Sequence, residues 1–252
     1  MKADHEKTER VAVITGAGKG IGRAIALKLA CSGIKIVIAD IDERTGLNTA
    51  ADAVAEGTEA AFFKADVSDT AQVAALMEFA AGRFGRIDIL VNNAGILSTS
   101  AIEDVTEDEW ERIMSVNVKS VMLCTKHVLD HMKKQKWGRI INIASVAGRM
   151  GGFSSGCAYA ASKAAVIGLT RNISRRMASF GITVNAIAPG TIESDMSKKF
   201  TPDDIVSLVA NIPAGKLGKP EQVAAAVEFL ASEGADFITG AVIDINGGMF
   251  TG

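Results

Sequence analysis

Arg10-Val11-Ala12-Val13-Ile14-Thr15-Gly16-Ala17-Gly18-Lys19-Gly20-Ile21-Gly22 runs a β-branched apolar segment straight into four glycines at alternate positions. A helix-forming stretch follows, reaching about Ser32. The first six residues read as a strand, apolar enough to be central in its sheet. Glycines at such a strand-to-helix turn let backbone amides approach a pyrophosphate, and the helix N-terminus favours its charge. The spacing is Gly-x-x-x-Gly-x-Gly on Gly16, Gly20 and Gly22 rather than the commoner Gly-x-Gly-x-x-Gly dinucleotide fingerprint. A tight turn with no ligand would ask for similar residues, so the next strand matters.

That strand, Lys35-Ile36-Val37-Ile38-Ala39-Asp40, ends on a carboxylate. A carboxylate there can bind both hydroxyls of an adenine ribose and would repel a 2′-phosphate. At 4 Å and an effective dielectric near 20 a unit charge pair is worth up to ~4 kcal/mol, enough to set cofactor choice. Lys19 pulls the other way, since a basic group in the loop could receive that phosphate. The balance favours NAD(H), with NADP(H) as the alternative.

Outward from this unit, short β-branched runs alternate with longer helical stretches. Strands are expected at 60–66, 87–91, 139–145, 182–187 and 241–245, with the sixth broken by Pro189-Gly190. Helices are expected at about 107–133, 159–180 and 221–231. Strands linked by helices cross over right-handedly, which predicts an α/β fold with a doubly wound parallel sheet of seven strands and helices on both faces. With no repeat or linker, residues 1–252 read as one domain, with a polar extension at 1–9 and a substrate loop at 190–219.

Composition narrows the function. The 252 residues are 48% apolar, yet no apolar run approaches the roughly 20 residues of a membrane helix. The charged N-terminus lacks a signal peptide's apolar core. A net charge of −2 gives no reason to expect nucleic acid or an anionic membrane as a partner. Three widely spaced cysteines, Cys31, Cys124 and Cys157, suggest neither a disulfide framework nor a metal site, and a cytoplasmic location is expected. His127 and His131 stand one helical turn apart, a spacing compatible with zinc, but no third ligand is apparent and helix packing is the better reading. The run Lys133-Lys134-Gln135-Lys136 reads as a solvated helix end, with a docking patch for an acidic carrier as the sharper alternative.

The chemistry centres on Tyr159, the only tyrosine in the chain. Lys163 falls on the same helical face one turn later. A free phenol titrates near ~10, and an ammonium nearby is expected to favour the phenolate and bring that value down. Ser145, at the end of the fifth strand and fourteen residues earlier, can be returned to the tyrosine by a glycine-rich loop.

With Thr15-Gly16-x-x-x-Gly20-Ile21-Gly22, Asn92-Asn93-Ala94-Gly95, Asn117, Ser145, Tyr159-x-x-x-Lys163 and Pro189-Gly190 in this order, the sequence resembles the short-chain dehydrogenase/reductase family from about Arg10 to Gly248. The resemblance implies a seven-stranded Rossmann fold, a nicotinamide cofactor and a homotetramer. It implies Tyr159 as general acid-base and Ser145 on the substrate oxygen. Lys163 would lower the tyrosine pKa and hold the nicotinamide ribose, and Asn117 would support a water relay to the lysine. It also assigns the cofactor cleft to the Gly16–Gly22 loop with Ile21, to Asp66 and Val67 at the adenine, and to Asn93, Ala94 and Gly95. Pro189, Gly190, the Ile192 backbone and the Ser194 hydroxyl complete it, the last two at the carboxamide; threonine is more usual at 194. No metal is implied.

The partner is then a small carbonyl or alcohol substrate. The stretches from Gly190 and from Phe237 look like those of 3-oxoacyl-thioester reductases, whereas Asp40 and Phe180 depart from that pattern. Sugar, polyol and small secondary-alcohol dehydrogenases share all these motifs, and a non-catalytic nucleotide-binding sensor is the alternative of another class. Met150, Phe153, Met196 and Phe200 suggest a partly apolar pocket.

Overall fold

In a computed structural model of the chain, β1 (Val11–Thr15) is buried on both faces. The structure describes residues 9–152, 155–193, 206 and 209–252. The other strands are β2 (Lys35–Asp40), β3 (Ala60–Lys64), β4 (Ile89–Asn92), β5 (Gly138–Ile143), β6 (Ile182–Pro189) and β7 (Val242–Ile245). They form one sheet in the order β3-β2-β1-β4-β5-β6-β7, and every neighbouring pair is parallel. The chain runs outward from β1 to β3, then returns to lay β4 on the other side of β1. The direction of winding reverses there, and a crevice opens beyond the carboxyl ends of β1 and β4.

Side-chain alternation along the strands supplies two cores. Ile14, Ile36, Ile38 and Ile141 face α1 (Gly20–Cys31), α2 (Glu43–Ala55) and the late helix at Pro220–Ala231. Val13, Val37, Leu90 and Val184 face α3 (Thr70–Phe84) and the long helical segment beyond β4. Both faces being covered, the strands read as continuous apolar runs.

That long segment departs from expectation. Instead of one helix over 107–133, α4 (Glu107–Met114) is followed by a π-helical turn at Ser115–Lys119 and then α5 (Ser120–Gln135). The extra residue in the turn swings Asn117 into the interior, where it is 1% exposed. Two further differences bear on the site. The fifth strand ends at Ile143, and a short α6 (Ala147–Met150) occupies what the sequence suggested was loop. The sixth strand continues through Pro189. Proline is tolerated at that last position because its carbonyl still accepts from Val146 N–H at 2.8 Å, and Gly190 N–H takes up the pairing to Ile245 O at 2.9 Å. The next helix, α7, spans Cys157–Met177, and the helix at Pro220–Ala231 is α8.

Candidate active site

The nucleotide end is held by Thr15, Asn93 and Asp40. Thr15 Oγ1 accepts from the backbone N–H groups of Asn93 and Ala94, each at 3.1 Å. Asn93 Nδ2 donates to Thr15 O at 3.0 Å and Gly16 O at 2.8 Å. The end of β4 is thereby bonded to the glycine turn after β1, closing the floor of the crevice. Gly18 N–H donates to Asp40 Oδ2 at 2.8 Å, and a methyl group on Gly18 would stand 2.9 Å from the same oxygen. The bare glycine therefore lets the β2 carboxylate close on the loop. At Gly20 φ is +57°, with open space where a side chain would project. Lys19 at the start of α1 makes no side-chain cap bond, so the first N–H groups of the helix are not capped by it. An open helix start, a backbone free of side chains and a carboxylate at the ribose end suit a dinucleotide. Asp66 and Val67 follow β3 at the same edge, with Asp66 Oδ1 accepting the Ser68 N–H at 2.9 Å and the Ser68 hydroxyl at 2.7 Å.

At the catalytic end, Ser145 lies two residues past β5, and Tyr159 and Lys163 lie one turn apart on α7. The three line a single cavity of about 220 Å³, shared with Asn93, Gly95 and Ile192. Ile21, Pro189 and Gly190 border the same space. Ser194 lies outside the described residues, as do Phe153, Met196 and Phe200. Ala94 packs beside the glycine turn, its Cα 2.8 Å from where a methyl on Gly16 would sit.

The electrostatics correct one expectation. Burial pushes the Tyr159 phenol above its ordinary value, and its hydrogen bond with Ser145 opposes this. The Lys163 ammonium does not prevail as the Tyr-x-x-x-Lys spacing suggested. It is 5.7 Å from the centroid of the tyrosine ring and donates instead to Ile143 O at 2.9 Å. Burial pulls Lys163 itself down to about 8. Between about pH 8 and pH 10.5 the folded chain has released a proton that the unfolded chain keeps, so stability gains with pH across that window. The gain is on the order of 3 kcal/mol. Melting curves of the cofactor-free protein at pH 7 and pH 10 should show it in the wild type relative to Lys163→Met; parallel behaviour of the two proteins would refute the depressed lysine.

Asn117 is fixed at the same end of the site. Its Nδ2 donates to Ile96 O and Ser162 Oγ, both at 3.0 Å, and its Oδ1 accepts from Ile96 N–H at 2.9 Å. The side chain is thus spent on fixing the segment after β4 against α7. Lys163 Nζ and Asn117 Oδ1 each come within 3.3 Å of where a methyl on Gly95 would sit, so the bare glycine gives the segment room to pass between them. Ser162 was the partner missed from sequence, its signal being its place beside Lys163, and Thr15 stood in the glycine motif without a role assigned to it.

The remaining candidates do not converge. Among the described residues no three His, Cys, Asp or Glu side chains come close enough to hold a metal, and His127 and His131 sit half-buried on α5. Lys133 Nζ lies 5.2 Å from the Phe180 ring centroid, and Lys136 closes α5 in the left-handed conformation with φ of 52°. No helix among the described residues is long and apolar enough to cross a membrane.

Comparison with known proteins agrees with this geometry. A family model described as enoyl-(acyl carrier protein) reductase matches residues 16–250. The 3-oxoacyl-[acyl-carrier-protein] reductase of Salmonella typhimurium is 42% identical over 242 residues, covering 96% of this chain and 97% of that protein. The enzyme of the same name from Synechocystis is 42% identical over 245 residues, with the same coverage. Among solved structures, levodione reductase superposes with a TM-score of 0.90 at 35% identity, covering 95% of this chain and 96% of that one. The chain belongs to the short-chain dehydrogenase/reductase family, oxidoreductases acting on CH–OH and carbonyl groups.

Proposed function

We propose that the chain is an NAD(H)-preferring reductase of 3-oxoacyl thioesters, with Tyr159 as proton donor, Ser145 on the substrate oxygen and Lys163 beneath the nicotinamide ribose. The carrying observation is the single cavity that gathers these three side chains at the carboxyl ends of the central strands. Bound in the crevice, a nicotinamide dinucleotide supplies the hydride. The chain's part is to hold the carbonyl and deliver the proton. A phenol raised by burial stays protonated at neutral pH, which suits a group that must give a proton to a carbonyl oxygen becoming an alkoxide. The Ser145 hydroxyl, set against that phenol, is placed to donate to the same oxygen. Near pH 7 Lys163 remains charged and can hold a ribose hydroxyl.

The thioester is supported by 42% identity over nearly the whole chain to reductases named for that substrate. A second reading, a ketone that is not a thioester, draws support from the levodione reductase likeness. NAD over NADP rests on Asp40, whose carboxylate already lies against Gly18 N–H. Loss of NADH absorbance with a short 3-oxoacyl thioester tests substrate and cofactor together. Turnover with NADH is expected to exceed that with NADPH, and Asp40→Ala should shift the preference towards NADPH by at least tenfold. No thioester turnover removes the first reading, while selectivity unmoved by Asp40→Ala removes Asp40 as its cause. A homotetramer is part of the same proposal, supported by apolar Trp110 and Met122 left exposed on α4 and α5; light scattering at monomer mass would exclude it.

A further inference from the structure

Between Ser145 and α7 lies α6, a single turn of helix with no stability of its own. One end is locked to the reacting groups. Ala147 N–H donates to Ser145 Oγ at 3.1 Å. Gly148 packs so tightly on α7 that a methyl there would stand 2.5 Å from the carbonyl carbon of Lys163. Any tilt of α6 must therefore disturb the serine hydroxyl, the lysine backbone or both.

The other end is held by Arg149. Its guanidinium reaches past β6 to the edge strand, where Nη2 lies 3.0 Å from Asp244 Oδ2. The same nitrogen donates to Gly252 O at 3.0 Å, and the guanidinium carbon stands 4.6 Å from the centroid of the Phe250 ring. Both partners are largely buried, with 12% and 20% of their side chains exposed. The pair is poorly built for stability alone, because Arg149 Nε and Asp244 Oδ1 are buried without a partner among the described residues. The segment it grips also touches the cofactor side. Asn246 Nδ2 donates to Phe250 O at 3.2 Å, and a methyl on Gly190 would stand 2.8 Å from Asn246 Cα.

We propose that Arg149 is a positioning residue that clamps α6 to Asp244 and to the Phe250–Gly252 segment, so that the setting of Ser145 and Lys163 depends on a contact at the edge of the sheet. The proposal rests on the reading of Ser145, Tyr159 and Lys163 as the reacting groups. Two variants of the full chain test it, Arg149→Met, which keeps most of the side-chain volume, and Asp244→Asn, which keeps the shape and removes the charge. Backbone hydrogen exchange over residues 145–150 should accelerate about tenfold in both, a readout that needs no substrate. With the short thioester and NADH, kcat should fall about tenfold while KM for NADH stays within twofold, and Arg149→Lys should recover part of the loss. Unchanged exchange in both variants would overturn the clamp, and faster exchange with unchanged kcat would overturn its positioning role. Failure of the underlying site reading looks different: Tyr159→Phe would then keep its turnover, whatever the exchange rates show.

Discussion

Replacing Tyr159 with phenylalanine should lower kcat at least about a thousandfold while leaving NADH affinity within twofold of wild type. The substitution removes one oxygen from a partly buried ring, and with it goes the proton that the phenol, set against Ser145, is proposed to deliver. General acid catalysis contributes about 10²–10⁴ in rate, and a thousandfold loss corresponds to about 4 kcal/mol. Ser145 remains, but its hydroxyl alone holds the oxygen without a proton to spare for it. NADH should still bind, because the groups proposed to receive most of the dinucleotide are the glycine turn and Asp40, at the ends of β1 and β2. Steady-state rates combined with a fluorescence titration of NADH separate the two effects. Turnover at the wild-type rate would end the assignment of Tyr159.

Gly22→Ala should be nearly as damaging, by a different route. A methyl at this position would lie 2.2 Å from Gly16 O and 2.5 Å from Asn93 Nδ2. Neither can give way cheaply: the first is backbone, and the second is tied to Thr15 O and Gly16 O. Overpacking of this kind costs about 1–3 kcal/mol. For a chain of this length that is a fall in melting temperature of roughly 3–10 °C. NADH affinity should drop more than tenfold, because the shift required runs through the turn proposed to receive the pyrophosphate. Gly20→Ala is the contrast. There the methyl meets open space, so only the left-handed backbone is strained, at about 1 kcal/mol. Calorimetry and an NADH titration of both variants decide it, and a Gly22→Ala protein that melts and binds like wild type would show that the turn is not so tightly packed.

What could be read beforehand follows from what local patterns encode. The bounds of β2 matched Lys35 to Asp40, and β1 with its glycine turn was legible because alternation, β-branching and glycine spacing are properties of the segment itself. The π-helical turn was not. Ser115-Val116-Asn117-Val118-Lys119 contains no proline or glycine, and the turn goes with Asn117 bonding to Ile96 and Ser162, residues 21 and 45 positions away. The Tyr159–Lys163 pair shows the same limit at the site. Spacing placed the two side chains on one face correctly, but it carries no information about burial, and here desolvation governs both groups. Arg149 escaped notice because its partners, Asp244 and Gly252, are about a hundred residues further along the chain.

The two faces of the sheet divide the labour. The helix that follows the glycine turn is rooted in one core layer, through Ile25 and Leu29. The tyrosine helix is rooted on the opposite face, through Val166, Ile167 and Met177. They communicate mainly at the sheet's upper rim, where Thr15 meets Asn93 and where Gly95 threads past Lys163. Such an arrangement is modular in the evolutionary sense. Substitutions beneath the glycine turn can retune which redox carrier is accepted, and substitutions beneath the tyrosine can retune which alcohol is made, with little interference between the two. A lineage built on this frame can change its carrier and its product in separate steps.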